Sequence, residues 1–555
     1  MRHLFHDRSA QPTTAGRWLW QDLAAVLLCV AVALAVRWHA ADHGLTMDEL
    51  WHLAMSTGRS NDFTDWPLDE LVVTPTSLTS LEAAAPPGSV WAPMRVVLHP
   101  PLYMFSLRFW REAFGGGDWM AAMYSAAWSI TAILFVFASV RLQAGLGLAS
   151  CIGMAMALSS LQANLGTEVR SYAMMMGLAA MTVWQMVRIE TSGATVGRVW
   201  ALGLTLCPLM LTHYFAAGTC AAVCVWGLAR LRGPMHWHFM ASVATAAICF
   251  AGLWLPQTLN QLSELGAGDA YLATDQPFWR ESLLSGIAMP LRLFAYVAIR
   301  KVAMAVSLLL VAGTVAGVWR RPALLPWLVT LLMPIGMLLA LDALRSTHHT
   351  FFIRYAAASA VALPAAPVLA AAALRPAAGY VLGLAFVALA AVGLGASREI
   401  GSPAFHHMPK SFLPTISTAP SDTPIAAFMP PRKNTFYSNA MLLEWSHVPG
   451  FFPRPTMLLA RPEQKDLRKL HDAAPGGRFW LVTSGQPADG ANAPDWLRAL
   501  LPAARLVQPP VTIPLGGGVI CPQPPVELWF LELDPPALTE EPKREDRRPG
   551  SGEQQ

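Results

Sequence analysis

WLWQDLAAVLLCVAVALAVRW, residues 18–38, is followed after a short gap by TMDELWH, residues 46–52. The first stretch is a nearly unbroken apolar run of about 20 residues, the length a helix needs to cross a bilayer core of about 30 Å. The second sets two adjacent acids, Asp48 and Glu49, at the mouth of that helix, where charge is costly to place. Reading the run as a membrane span decides the fold class. The acids then need their own explanation.

Composition agrees with a membrane chain. Of 555 residues, 54% are hydrophobic and 13% charged, against roughly 25% charged in a soluble domain. The net charge of +4 is small for the length and gives no reason to expect a nucleic-acid partner. Six of seven cysteines (Cys29, Cys151, Cys207, Cys220, Cys224 and Cys249) fall in apolar runs, and only Cys521 lies in polar sequence. Neither a disulfide framework nor a cysteine metal site is expected. Arg2, Arg8 and Arg17 precede the first run. It is too long for a signal-peptide core and no small-residue cleavage site follows, so it reads as an uncleaved anchor with residues 1–17 in the cytoplasm.

Further apolar runs occupy 119–140, 145–164, 171–189, 198–211, 214–231, 236–256, 302–319, 323–341, 355–374 and 378–396. With 18–39 they give about eleven spans. Arg141, Arg188 with Arg198, Arg230 with Arg232, Arg320 with Arg321, and Arg375 then share the N-terminal side, the cytoplasmic one by the positive-inside rule. Segment 280–301 carries Arg280, Arg292, Arg300 and Lys301 and is expected outside, lying along the membrane. Outer loop 40–118 ends in HPPLYMFSLRFWREAFG, 99–115. Arg108 and Arg111 argue against its crossing, so an interfacial amphipathic helix is expected there.

Beyond residue 397 turn residues increase and β-like runs appear at 435–439, 478–484 and 526–533. They predict a small α/β or β-rich outer domain over 399–534. The charged tail 535–555 reads as disordered, and no repeat of fixed period is present. The expected architecture is therefore a polytopic α-helical membrane domain, 18–398, followed by that outer domain.

On this plan Asp48, Glu49, His52, His99, Glu168, Arg170, His213, Arg345, His348, His349 and Arg354 gather on the outer side. Each has an ordinary reading. Thr46 can cap a helix whose first turn favours acids. Glu168 and Arg170 can pair with each other or with headgroups. Arg354 can snorkel, and His213, beside Tyr214, can hydrogen-bond locally. Each also has a functional reading, in which the arginines take a phosphate through their planar fork.

The order of the motifs is more specific than any one of them. TMDELWH after the first span, HPPLYMFSLRFWREAFG, EVRSY at 168–172, THY at 212–214 and RYAAASAVALP at 354–364 together resemble the family 39-like bacterial membrane glycosyltransferases of the GT-C superfamily. Those are grouped with dolichyl-phosphate-mannose protein mannosyltransferases and aminoarabinose transferases. The resemblance runs from the first span to about the tenth. It implies a GT-C fold in the bacterial inner membrane, with the active site and C-terminal domain toward the periplasm or exterior.

It also implies transfer of a hexosyl or pentosyl group from a polyprenyl-phosphate donor to a lipid, glycan or protein acceptor, with inversion. Asp48 matches the family's essential acid, the general base. Glu49, His52, His99, Glu168, Arg170, Tyr172, His213, Tyr214, Arg354 and Tyr355 line the donor-phosphate or substrate region. No nucleotide is required, and a divalent metal ion is the one cofactor left open, with Glu49 and Glu168 as ligands. Two departures stand out. Aminoarabinose transferases carry an acidic–basic pair before the proline where this chain has Leu98-His99, and D-E stands here where some relatives have D-x-D. A transporter or flippase of lipid-linked sugars is the alternative of another class, and inverted repeats would mark it.

Overall fold

The computed structural model describes residues 20–41, 45–59, 69–74, 79–82, 84–95, 99–268, 277–295, 299–397, 415–428, 454–459, 464–484, 504–513 and 526–533. The expected cytoplasmic stretch 1–17, the run 435–439, Cys521 and the tail 535–555 lie outside the described residues. The chain divides into two compact units: Met1–His43 with Met55–Arg59 and Ala85–Ile400, and Gly44–Ala54 with Ser60–Ala84 and Gly401–Gln555.

The first unit is helical. Its course begins with α1 (Trp20–Ala40); the short α2 (Met47–Ser56) reaches it through its last two residues. Then come α3 (Leu102–Phe114), α4 (Asp118–Ala144), α5 (Leu146–Leu158), α6 (Ser160–Thr167) and α7 (Tyr172–Ser192). They are followed by α8 (Val196–Leu204), α9 (Leu206–Thr212), α10 (Ala217–Arg230), α11 (Pro234–Gly268) and α12 (Leu284–Arg292). The last are α13 (Arg300–Arg320), α14 (Leu325–Arg345), α15 (Ala365–Leu374) and α16 (Pro376–Ser397).

Every expected span coincides with a helix or with helices joined at a break. Among the described residues six helices are long and apolar enough to cross a membrane alone, and up to eight spans result if each bent pair is one. The bent pairs are α5 with α6, turning by 62°, and the tight-helical turn 353–361 with α15, turning by 40°. Length and composition thus support six to eight crossings where the apolar pattern suggested about eleven. The difference lies in the shorter apolar helices Val196–Thr212 and Tyr214–Arg230 and in α7, which carries Gln185, Arg188 and Glu190 and is enclosed by its neighbours.

Mid-helix side chains such as Leu309 (73% exposed) and Val392 (71%) point away from the protein, as a lipid-facing surface requires. Inside, backbones touch. A Cβ on Gly218 would lie 2.5 Å from the Cα of Pro334, so α10 and α14 meet at a small residue, the usual device of helices packing in lipid. Gly218→Val is expected to force them apart and cost about 1–3 kcal/mol, read as a lower melting temperature of the detergent-purified protein. An unchanged melting temperature would mean the contact is looser than drawn.

The basic helix ends are tied down. Arg141 pairs with Asp22 across α4 and α1, Arg230 with Glu190 at 2.8 Å, and Arg321 Nη2 donates to the Gln143 carbonyl at 3.0 Å. Arg37 is fully buried within α1. Its guanidinium donates to Ser129 Oγ and to the Ala33 and Ala157 carbonyls at 2.9–3.3 Å, joining α1 to α4 and α5.

The two segments expected along the membrane surface each bury one side. α3 is amphipathic in the reverse sense: Arg108 and Arg111 are buried, while Phe109 (56%) and Phe114 (58%) are exposed. Arg108 donates to the carbonyls of Ser56 and Ala85 and to Glu112, and Arg111 to Ser56 Oγ and the Gly116 carbonyl. The arginines fasten loop backbone rather than reaching headgroups, because a buried carbonyl needs a donor and a guanidinium supplies several. α12, within 280–301, has nine residues, roughly 14 Å at the helical rise, too short to cross. One side of it is buried, through Ala288, Met289 and Leu291 among others.

The second unit is a six-stranded sheet. β1 (Leu71–Val72) comes from the first outer loop; β2 (Ile425–Phe428), β3 (Thr456–Leu459), β4 (Arg478–Ser484), β5 (Ala504–Ile513) and β6 (Val526–Leu533) follow in the chain. The order is β1-β3-β2-β4-β6-β5. β2 runs parallel to both β3 and β4, and the other pairs are antiparallel. Alternating Phe479 and Leu481 meet Trp529, Leu531 and Leu533 in the core, beneath Leu467 and Leu470 of α17 (Gln464–Ala473). Leu71 packs onto the same core. Glu532 faces Arg478 and Arg505 in register, and their guanidiniums, Arg505 first, hold its carboxyl below the usual glutamate range.

Candidate active site

In α2 the sequence Thr46-Met47-Asp48-Glu49 forms a capping box. Glu49 Oε2 accepts from the Thr46 backbone N–H at 2.8 Å and the Thr46 hydroxyl at 2.9 Å. The buried carboxylate thus serves an N-terminal donor that a helix otherwise leaves unmet. Asp48, one residue earlier, is half-buried and lies in the same first turn, where the helix dipole favours an anion. His52 is buried one turn on, its Nδ1 2.6 Å from the Asp48 carbonyl oxygen. A carbonyl only accepts, so Nδ1 carries the proton. The two acids therefore differ in kind. Glu49→Ala is expected to lower stability by about 1 kcal/mol through the lost cap, seen as a shifted melting curve.

The remaining candidates belong to the helical unit, at the ends of helices opposite Arg141 and Arg230. α6 ends at Glu168, whose extended backbone breaks the helix. Its carbonyl accepts from the Arg170 N–H at 2.7 Å, a tight reversal that sets Arg170 before the first turn of α7. The Arg170 guanidinium carbon lies 4.9 Å from the centre of the Tyr172 ring. Tyr172 lies 5.2 Å from the His213 ring, and His99 lies 5.5 Å from it on another side. His213 stacks on Phe215 at 5.1 Å, and Phe215 meets Tyr355 at 4.5 Å. Arg354 lies 5.4 Å from the Phe352 ring and 5.8 Å from that of Tyr355.

Rings and cations thus form one continuous cluster. Arg170, Tyr172, His213 and Tyr355 are buried, and His99 and Arg354 half-buried. Guanidiniums over aromatic faces are held by cation–π attraction, stronger once water is excluded. Four chain segments far apart in sequence supply the members.

His213 has a second task. It caps the turn Tyr214–Ala216, its Nδ1 accepting from the Phe215 N–H at 3.1 Å. The neutral ring must then carry its proton on Nε2. Tyr214, its neighbour, turns the other way. Its hydroxyl bonds Gln261, takes a bond from Trp254 Nε1 at 2.9 Å and lies 3.3 Å from Thr258. Successive residues of a turn face different sides, so Tyr214 ties the turn to α11 instead of joining the cluster.

Sequence reading missed Phe215, the ring at the cluster's centre, and Asp342, beside it. Phe215 carries no signal of its own in an apolar chain. Asp342 does: it is the only acid between Glu281 and Glu399, and an isolated acid near membrane depth marks function by default. Among the described residues no three His, Cys, Asp or Glu side chains gather to hold an ion, and Glu49 is committed to Thr46.

No family model matches the sequence, and no curated protein does. Three solved structures are similar to this chain. ArnT from Cupriavidus metallidurans in the apo state is 14% identical, with a TM-score of 0.49 over 91% of this chain and 98% of that one. The arabinofuranosyltransferase AftD from Mycobacteria is 14% identical, with a TM-score of 0.45 over 92% of this chain and 40% of that one. The oligosaccharyltransferase AglB from Archaeoglobus fulgidus, solved with an inhibitory peptide and a dolichol-phosphate, is 12% identical, with a TM-score of 0.39 over 84% and 69%. With scores below 0.5, the functional reading below rests on this chain's own residues.

Proposed function

We propose that this chain is a glycosyltransferase that moves a sugar from a polyprenyl-phosphate donor to an acceptor at the outer face of a bacterial inner membrane. The observation that carries the reading is the ring-and-cation cluster: two arginines and two histidines set among aromatic faces at one end of an apolar helical unit. An anion with a hydrocarbon tail fits that chemistry. The prenyl chain is at home in lipid, and the phosphate needs fixed cations where water is scarce.

In the proposed reaction the acceptor hydroxyl or amine attacks the anomeric carbon and loses its proton to Asp48, the general base. The bond from that carbon to the phosphate oxygen breaks, and Arg170 and Arg354 stabilise the negative charge that develops there. In-line attack opposite the leaving group inverts the anomeric centre. The orientation rests on the basic ends at Arg141, Arg230 and Arg321, taken as cytoplasmic.

The test is transfer of radiolabelled sugar from a polyprenyl-phosphate donor by membranes carrying the protein. Transfer to an acceptor, with release of polyprenyl phosphate, is expected. Movement of the intact donor across vesicles without bond cleavage would instead identify a flippase.

A further inference from the structure

Asp342 closes α14 and is 1% exposed. Its Oδ1 accepts from the His349 backbone N–H at 2.6 Å, from His349 Nδ1 at 2.9 Å and from the Thr347 hydroxyl at 3.1 Å. Its Oδ2 accepts from the Thr350 N–H at 3.0 Å and the Thr350 hydroxyl at 2.8 Å. Both oxygens are met only by donors, which an ionised carboxylate satisfies and a neutral amide cannot. The charge also controls the imidazole. A carboxylate only accepts, so His349 Nδ1 carries a proton and Nε2 lies on the far side of the ring. That ring meets Phe215 edge-on at 5.8 Å and lies 6.1 Å from Tyr355, the two rings that join His213 to Arg354. His213 and His349 therefore flank Phe215 with the same nitrogen committed in opposite roles, His213 Nδ1 accepting and His349 Nδ1 donating.

We propose that His349 binds the donor phosphate and gives it a proton, with Asp342 as the positioning residue. The proposal rests on the glycosyl-transfer reading above. The bond between anomeric carbon and phosphate oxygen breaks, its electron pair staying on that oxygen, while the acceptor atom bonds to the carbon. The acceptor's proton goes to Asp48, and the Nε2 proton of the His349 imidazolium goes to the phosphate. Exchange with water restores both residues. The buried carboxylate fixes the ring's aim through the bond from Nδ1.

The experiment titrates the detergent-purified full chain with farnesyl phosphate, using farnesol as the phosphate-free control. His349→Ala leaves the bonds from Asp342 to Thr347 and Thr350 in place, so it tests chemistry with little risk to the turn. It is expected to weaken farnesyl phosphate binding about tenfold or more, the size of one charge-assisted hydrogen bond, and to leave farnesol binding unchanged. Added imidazole should restore phosphate binding and transfer in His349→Ala. Asp342→Asn should lose phosphate binding in the same direction, without rescue by imidazole. In His349→Ala, equal loss of farnesyl phosphate and farnesol binding, or a loss imidazole does not repair, would reduce the pair to a turn anchor. If the unmodified protein binds farnesyl phosphate and His349→Ala binds it as well, this proposal alone fails. If the unmodified protein does not bind it, the glycosyl-transfer reading fails with it.

Discussion

Asp48→Asn is expected to lower transfer by about 10²- to 10⁴-fold, the range spanned by loss of a general base, with little change in stability. The asparagine keeps the shape and the first-turn position but cannot take a proton. The stability side follows from what holds α2. Its cap is made by Thr46 and Glu49, and the buried His52 reaches the Asp48 carbonyl oxygen, which the substitution keeps. The check is a paired measurement on one preparation: initial rates with labelled donor, and a melting curve. Near-normal rates from a well-folded variant would remove Asp48 from the chemistry. Glu49→Ala is read on the melting curve, where the lost cap lowers stability, and together the pair separates a cap from a base.

Arg170→Ala and Arg354→Ala are each expected to lower turnover by about 10²- to 10³-fold, the cost of removing one preorganised donor from a developing oxyanion. Each guanidinium sits over an aromatic ring, which limits its freedom before substrate arrives, so little reorganisation is needed as charge develops. Lysine should rescue neither fully, because an ammonium lacks the planar fork that meets two phosphate oxygens. If both arginines serve one phosphate, the double variant should lose less than the product of the single losses. Strictly multiplicative losses would place them on separate groups. Unchanged turnover in both single variants would leave the cluster a structural feature and remove the main support for the donor site.

The pairing of Arg170 with the start of α7 shows how local sequence can specify a site. Glu168 takes an extended backbone and stops α6, and Ser171 and Tyr172 restart the chain as α7. EVRSY therefore marks a helix break with an arginine in it, readable from one dimension. The same holds for Thr46 and Glu49, whose spacing fits a capping box, and for strands β4 and β6, whose alternation fixes which face meets the core.

Other features needed the third dimension. The apolar pattern of 99–115 told that α3 has two faces but not which one meets lipid. Arg108 turned inward onto the carbonyls of Ser56 and Ala85, and Arg111 onto the Ser56 hydroxyl, acceptors distant in sequence that needed donors. His213 and Tyr214 are adjacent in the chain yet serve different networks, since a capping turn aims successive side chains apart. Phe215 became the centre of the cluster only through contacts with residues more than a hundred positions away. β1 found its partner in β3, nearly four hundred residues on, a pairing that two residues of sequence cannot encode. By itself the sequence determined the membrane-spanning helices, the strand-bearing C-terminal region and the candidate acids and cations, because those follow from hydropathy, period and local caps. Only the tertiary structure decided which polar groups share an enclosure and which nitrogen of each histidine is committed. Those depend on which backbone and carboxylate partners are brought within hydrogen-bond reach.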